Sequence, residues 1–307
     1  MAQILYTSGI HVHLDHLDRL LAAAGELGVD AVMVGGDLVP TKEWSLSASI
    51  KPQRRWIGDV LFPRLVIHRR KFPGMSFFLD FGNDDLMANR WMLEEKDRKY
   101  FTLIHRELVP VDNNCALAGY MFVPPTPFKL KDWEKADCAD RPDLDGDIRR
   151  RGSKTETGVE RPYKLKLSHG TIEDDLVQLT EILEKPPWQE QSFLFVSHDP
   201  PLNTALDCLF DGRHVGSLAI RRFIEHWGPT GRLLAGFHGH IYESPWVSGR
   251  VYDRIAGVPC LNVGQKAGQL RALFFDSKDI ENSTRLVTVL DEGHEYKISL
   301  SELSILP

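Results

Sequence analysis

Phe237–Pro245 reads FHGHIYESP and closes the apolar run RLLAGFHGH that begins at Arg232. Two histidines stand at the end of this strand-like run, and a tyrosine stands where a third could sit. One histidine after one strand is most often a structural residue. The meaning of the stretch therefore depends on how other apolar runs end. Ala2–Gly9 (AQILYTSG), Asp30–Leu38 (DAVMVGGDL), Met75–Asp85 (MSFFLDFGNDD) and Ser192–Pro201 (SFLFVSHDPP) each close on polar residues. The four clusters are Gly9-Ile10-His11, Gly36-Asp37, Gly82-Asn83-Asp84-Asp85 and Ser197-His198-Asp199. Packing alone does not ask for carboxylate, amide and imidazole groups at five successive strand ends. Together they form a mixed nitrogen and oxygen donor set suited to Mn, Fe, Zn or Co rather than to thiolate chemistry.

Between these runs lie helical patterns. Leu14, Leu17, Leu20, Leu21 and Ala24 recur at helical spacing, and Gly28 suits the exit. TIEDDLVQLTEILEK and SLAIRRFIEHWG read as two more helices. Strand, polar loop and helix in alternation predict an α/β sandwich with ligands at the carboxyl ends of strands. Residues 1–307 read as a single domain. Residues 128–166, crowded with charge, Pro and Gly, read as a charged surface insertion, either a lid or a docking arm.

The net charge of −6 gives no general attraction to nucleic acid or to an anionic membrane. Cys115, Cys138, Cys208 and Cys260 are scattered and form no C-x-x-C pair, which argues against a zinc ribbon or a disulfide framework. No apolar run approaches the roughly 20 residues of a membrane span, and the N-terminus carries no basic leader. A cytoplasmic location is expected.

In order and spacing the five clusters resemble the motifs of the calcineurin-like metallophosphoesterases, D-x-H, G-D, G-N-x-D/E, H and G-H-x-H. The likeness runs from His11 to LNVGQ at Leu261–Gln265. The HGHI and ESP wording and VPPTPF at Val123–Phe128 are similar to one bacterial and archaeal branch. The resemblance implies a four-layer αββα sandwich, two divalent metals and phosphoester hydrolysis, in which the metals polarise the phosphoryl oxygens and lower the pKa of the attacking water. Carried over, Asp37 is the bridging carboxylate. Asn83, His198 and His240 complete one sphere, and His11 belongs to the other.

The second sphere departs from the pattern. Gly9 stands where the family has aspartate and supplies no ligand atom. With HGHIY set on H-G-H-x-H, Tyr242 replaces the closing histidine, and a neutral phenol is a poor ligand. A second register makes His238 and His240 the H-x-H pair, at the cost of the context around Tyr242-Glu243-Ser244. Asp84 follows the asparagine where many relatives have histidine, and is the candidate general acid. His13, Asp15 and His16 are weaker candidates for a replacement ligand, and His68-Arg69-Arg70-Lys71 reads as an exposed basic strand end, with a phosphate contact as the alternative. Two functions follow. One is a phosphoesterase, manganese-dependent or using a similar metal, impaired to one well-formed site. The other is an inactive pseudo-phosphoesterase that binds or scaffolds a partner. The expected ligand is a phosphorylated small molecule or phosphoester, with 128–166 as the surface for a protein partner.

Overall fold

The computed structural model describes residues 2–40, 45–140, 151–293 and 295–303. Its strands, in chain order, are β1 (Gln3–Thr7), β2 (Ala31–Gly35), β3 (Ser76–Asp80), β4 (Thr102–Leu103), β5 (Leu108–Pro110), β6 (Cys115–Tyr120), β7 (Arg151–Lys154) and β8 (Arg161–Lys164), then β9 (Ser192–Ser197), β10 (Leu233–His238), β11 (Tyr252–Ile255), β12 (Val258–Asn262), β13 (Gln269–Asp276), β14 (Arg285–Asp291) and β15 (Tyr296–Glu302). The helices are α1 (His16–Leu27), α2 (Leu46–Trp56), α3 (Phe62–Lys71), α4 (Arg90–Glu94), α5 (Ile172–Leu183), α6 (Leu218–Trp227), α7 (Ser244–Ser248) and α8 (Ile280–Ser283).

A seven-stranded sheet in the order β15-β14-β13-β1-β2-β3-β4 faces a six-stranded sheet in the order β11-β12-β10-β9-β6-β5. β1 to β4 run parallel to one another, as do β6, β9, β10 and β12, while β13 to β15 are antiparallel. Parallel strands buried on both faces read as continuous apolar runs, and Ile4, Leu5 and Tyr6 are fully buried in succession. Phe237 of β10 stacks on Phe275 of β13 with centroids 4.7 Å apart, and Tyr6 leans on Phe237 at 5.1 Å, so the inner faces of the two sheets interlock. α1 covers β13–β15 on one outer face. α5 and α6 bury Leu176, Leu179, Ile220, Phe223 and Trp227 against the other sheet. Two mixed sheets flanked by helices thus form the expected αββα sandwich.

Two expectations need correcting. The basic run His68–Lys71 is the last turn of α3, where cations complement the helix dipole, and not a strand end. Nor is 128–166 simply a surface insertion. Lys131, Asp132, Trp133 and Glu134 are buried, and the three charged groups among them are paired. Lys131 Nζ donates to Glu134 Oε2 at 2.7 Å and to Thr126 O at 2.8 Å. Asp132 accepts from Met87 N at 2.8 Å and Thr155 N at 2.7 Å. A charged segment can go inside only when its groups are paired, and composition does not show the pairing. The later part forms the β7–β8 hairpin. Residues 141–150, with Arg149 and Arg150, lie outside the described residues. No helix among the described residues is long and apolar enough to cross a membrane.

Candidate metal centre

All five clusters meet at the carboxyl ends of β1, β2, β3, β9 and β10, because each apolar strand hands its polar tail to the same end of the sandwich. Asp37 lies at their centre, 1% exposed. It adopts a left-handed backbone with φ 54°, and His240 does so with φ 57°. Non-glycine residues hold such angles only where their surroundings impose them. Gly36 before Asp37 has to be glycine. Its φ is 91°, and a Cβ there would sit 2.4 Å from His198 Nδ1.

Asp37 Oδ1 accepts from Asp84 N at 2.9 Å, and Oδ2 lies 3.4 Å from His198 Nε2 and 3.6 Å from His11 Nε2. Burial opposes ionisation of Asp37, but the charges of His198 and His11 outweigh it and hold the carboxyl well below the usual range. His198 Nδ1 donates to Gly35 O at 2.7 Å, which aims Nε2 at Asn83 Oδ1, 2.9 Å away. Asn83 Nδ2 donates in turn to Asp84 Oδ1 at 2.9 Å, leaving Asn83 Oδ1 turned toward His198. A bond of this kind, made behind the ring, sets the orientation of a ligand histidine.

His240 packs against His198 with ring centroids 5.3 Å apart. Burial, aided by the His198 charge, pushes it down to about 3, so the ring is neutral and has a free lone pair. Its Nε2 lies 3.9 Å from Asp199 Oδ1. Asp199 is fully buried, and neither of its carboxylate oxygens has a hydrogen-bond partner among the described residues. Sequence reading gave this residue no role. Its only signal was its place directly after His198. Asp85 reads from the sequence only as the last residue of the Gly82–Asp85 cluster, with no role of its own. Its carboxylate accepts from Gly82 N at 2.7 Å, Leu38 N at 2.9 Å and Val39 N at 2.8 Å, tying the loop after β2 to the loop after β3.

Gly9 and Tyr242 meet in space. Tyr242 Oη donates to Asp37 Oδ2 at 2.8 Å, and a Cβ on Gly9 would lie 2.4 Å from Cε1 and Cζ of the same ring. The phenol therefore fills the volume that a side chain at position 9 would need. Burial and the Asp37 charge raise the Tyr242 pKa well above its ordinary value, so the group is a proton donor rather than a phenolate. His238 is turned elsewhere. It sits within β10 with Nδ1 2.8 Å from Ser197 Oγ, and burial pushes it down to about 3. Tyr242, two residues past His240, is the group that reaches Asp37.

Asp84 lies 3.5 Å from His11 Nδ1. Burial and Asp37 raise its pKa, although its side chain remains 47% exposed and solvent screens the effect. Ligand atoms of His11, Asp37 and Asp84 all lie within 4.8 Å of one another. The donor chemistry fits a divalent cation. Asn83 Oδ1 and Asp37 Oδ2 lie 2.9 Å and 3.4 Å from His198 Nε2, so the three donor atoms would serve one cation together. His13, Asp15 and His16 form their own cluster at the start of α1. His13 Nδ1 and Asp15 Oδ1 are in contact, and the cluster stands apart from the bonds made to Asp37.

Solved structures share this architecture. One aligns at TM-score 0.53 and 14% identity over 98% of this chain and 99% of the other. TT1561 of Thermus thermophilus aligns at 0.50 and 13% identity over 97% and 98%. A chain described as a 5′-nucleotidase from Staphylococcus aureus aligns at 0.48 with 10% identity, over 97% of this chain and 52% of that one. No family model and no curated protein matches the chain. What the chain shares with the first two structures is the architecture of two mixed sheets flanked by helices. Identities this low carry the architecture alone.

Proposed function

We propose that this chain is a metallophosphoesterase-type protein that binds a phosphoester at a centre reduced to one divalent cation, and that its hydrolysis is correspondingly slow. One observation carries the proposal, namely the Tyr242 hydroxyl on Asp37 Oδ2 with its ring over Gly9. Asp37, Asn83, His198 and His240 would hold the cation, of the Mn, Fe, Zn or Co class. When bound, it would polarise a phosphoryl oxygen and lower the pKa of a water.

The rest is done by the chain itself. Asp37 stays ionised through His198 and His11, and so is ready as a ligand at neutral pH. His198 is held by Gly35 O, and Asn83 by Asp84, so both donors are oriented before anything binds. Tyr242 keeps its proton and donates a hydrogen bond to Asp37 Oδ2, so that oxygen would be less available to a second cation. Asp84, beside His11, is the candidate proton donor to a leaving group.

Restoring both positions tests the proposal. Gly9→Asp with Tyr242→His should raise Mn²⁺-dependent hydrolysis of p-nitrophenyl phosphate at least about tenfold, since even outer partners of a metal matter 10–100-fold. A folded double variant with no gain would remove the role given to these two residues.

A further inference from the structure

Arg271 of β13 is 9% exposed, yet among the described residues no carboxylate pairs with its guanidinium. Its neighbour is the indole of Trp246, 4.9 Å from Cζ to the ring centroid. Lys266 Nζ lies 5.4 Å from the centroid of the same ring and likewise has no acidic partner among the described residues. A buried cation is ordinarily paired. Two cations around one indole repel each other unless something negative comes between them.

Their place in the fold is next to the Asp37 centre. Arg271 shares its strand face with Phe275, which stacks on Phe237 of the opposite sheet, so its side chain starts from the inner face of β13 at the end where the polar loops gather. Thr7 Oγ1 donates to Arg271 O at 2.7 Å, two residues before Gly9. Trp246 opens from α7, four residues past Tyr242, whose hydroxyl holds Asp37.

The position is built rather than incidental. Gln265 Nε2 donates to Arg271 O at 2.6 Å and to Thr7 Oγ1 at 2.8 Å, while Arg271 N donates to Gln265 Oε1 at 3.1 Å. Gly264, with φ 63°, lets the indole close in, since a Cβ there would lie 2.5 Å from Trp246 Cζ3.

We propose that Arg271, Lys266 and Trp246 form a subsite for a phosphate-class oxyanion beside the Asp37 centre. The planar guanidinium suits two oxygens of one phosphate, the ammonium adds a point charge, and the indole backs both cations. A ligand with two anionic groups would span the subsite and the metal centre. That consequence rests on the function proposed above, whereas the subsite itself does not.

Inorganic phosphate is the probe, titrated into the Mn²⁺-equilibrated protein and followed by tryptophan emission. The chain has seven tryptophans, so the difference from Trp246→Phe isolates the signal of this one. Arg271→Gln, shown to be folded by an unchanged thermal midpoint, should weaken binding on the order of tenfold, as expected for a charged hydrogen-bonding group. Lys266→Gln should weaken it about threefold, and it decides the matter if the arginine variant does not fold. Asp37→Ala should keep the response, even if the wild type binds no metal at all. Unchanged affinity in the Arg271 and Lys266 variants, or a Trp246 signal abolished by Asp37→Ala, would overturn the subsite.

Discussion

At the scale of single residues, Gly9 and Tyr242 form one coupled replacement. A Cβ on Gly9 would meet the Tyr242 ring at 2.4 Å, and the position has φ 68°, where a side chain is strained in any case. Gly9→Asp alone should therefore destabilise the fold by about 1–3 kcal/mol, the usual range for overpacking. Adding Tyr242→His should recover the part of that loss due to the clash, because an imidazole is shorter than the phenol whose Cε1, Cζ and Oη make it. Thermal melts of the single and double variants check this, and additive effects would mean that the two positions do not touch as described. Each departure from the family pattern was visible in the sequence by itself. That one fills the room of the other was not, because spacing along the chain does not reveal which side chain enters which space. The register question had the same limit. Both H-x-H pairings fit the letters, and only the backbone turn after β10 sends Tyr242 rather than His238 toward Asp37.

Among the elements, the polar loops are held to one another as firmly as to the strands. Asp85 accepts three backbone N–H groups from two loops. Asp85→Ala leaves those donors buried and unpaired, at about 1–3 kcal/mol for each group that water cannot reach. A loss of ~3 kcal/mol or more is expected in urea denaturation, together with weaker metal binding, since Leu38, Val39 and Gly82 frame Asp37 and Asn83. A variant with wild-type stability would contradict the tie. The letters GNDD disclosed a polar loop but not which acid points inward. The helical stretch α2–α3 was harder still to read. Pro52 lies inside α2 and Pro63 in the first turn of α3, and proline ordinarily breaks a helical pattern. The basic run up to Lys71 consequently reads as a strand end when it is a helix terminus. The apolar strands were the most legible part, because strands buried on both faces announce themselves as unbroken apolar runs.

For the whole molecule, the sandwich buries titratable groups whose ionisation is linked to folding. His16 is fully buried and neither ring nitrogen has a partner among the described residues. Burial first, then the charge of Arg19, pushes it down to about 4 from an ordinary 6.5. The unfolded chain thus takes up a proton below 6.5 that the folded chain refuses. The stability this group contributes is complete above pH 6.5 and is lost as the pH falls toward 4, amounting to ~3 kcal/mol at the acid end. Other buried acids titrate in the same window with the opposite sign, so the wild type should be compared with His16→Leu. Its stability relative to that variant should fall between pH 6.5 and 4, and a constant difference would show that His16 is not held neutral by the fold. At this scale the sequence was least informative about 128–166. Its charge suggests exposure, whereas Lys131, Asp132 and Glu134 are buried through mutual pairing and bonds to backbone.

On the proposed reading, Tyr242 closes one side of the centre while the other remains a cation site built on Asp37. Bound metal per chain, determined by elemental analysis after equilibration with excess Mn²⁺ and removal of free ion, tests it most directly, with Asp37→Ala as control. One ion per chain, lost in the control, is the predicted result. Two ions per chain, or one that survives the loss of Asp37, would contradict it.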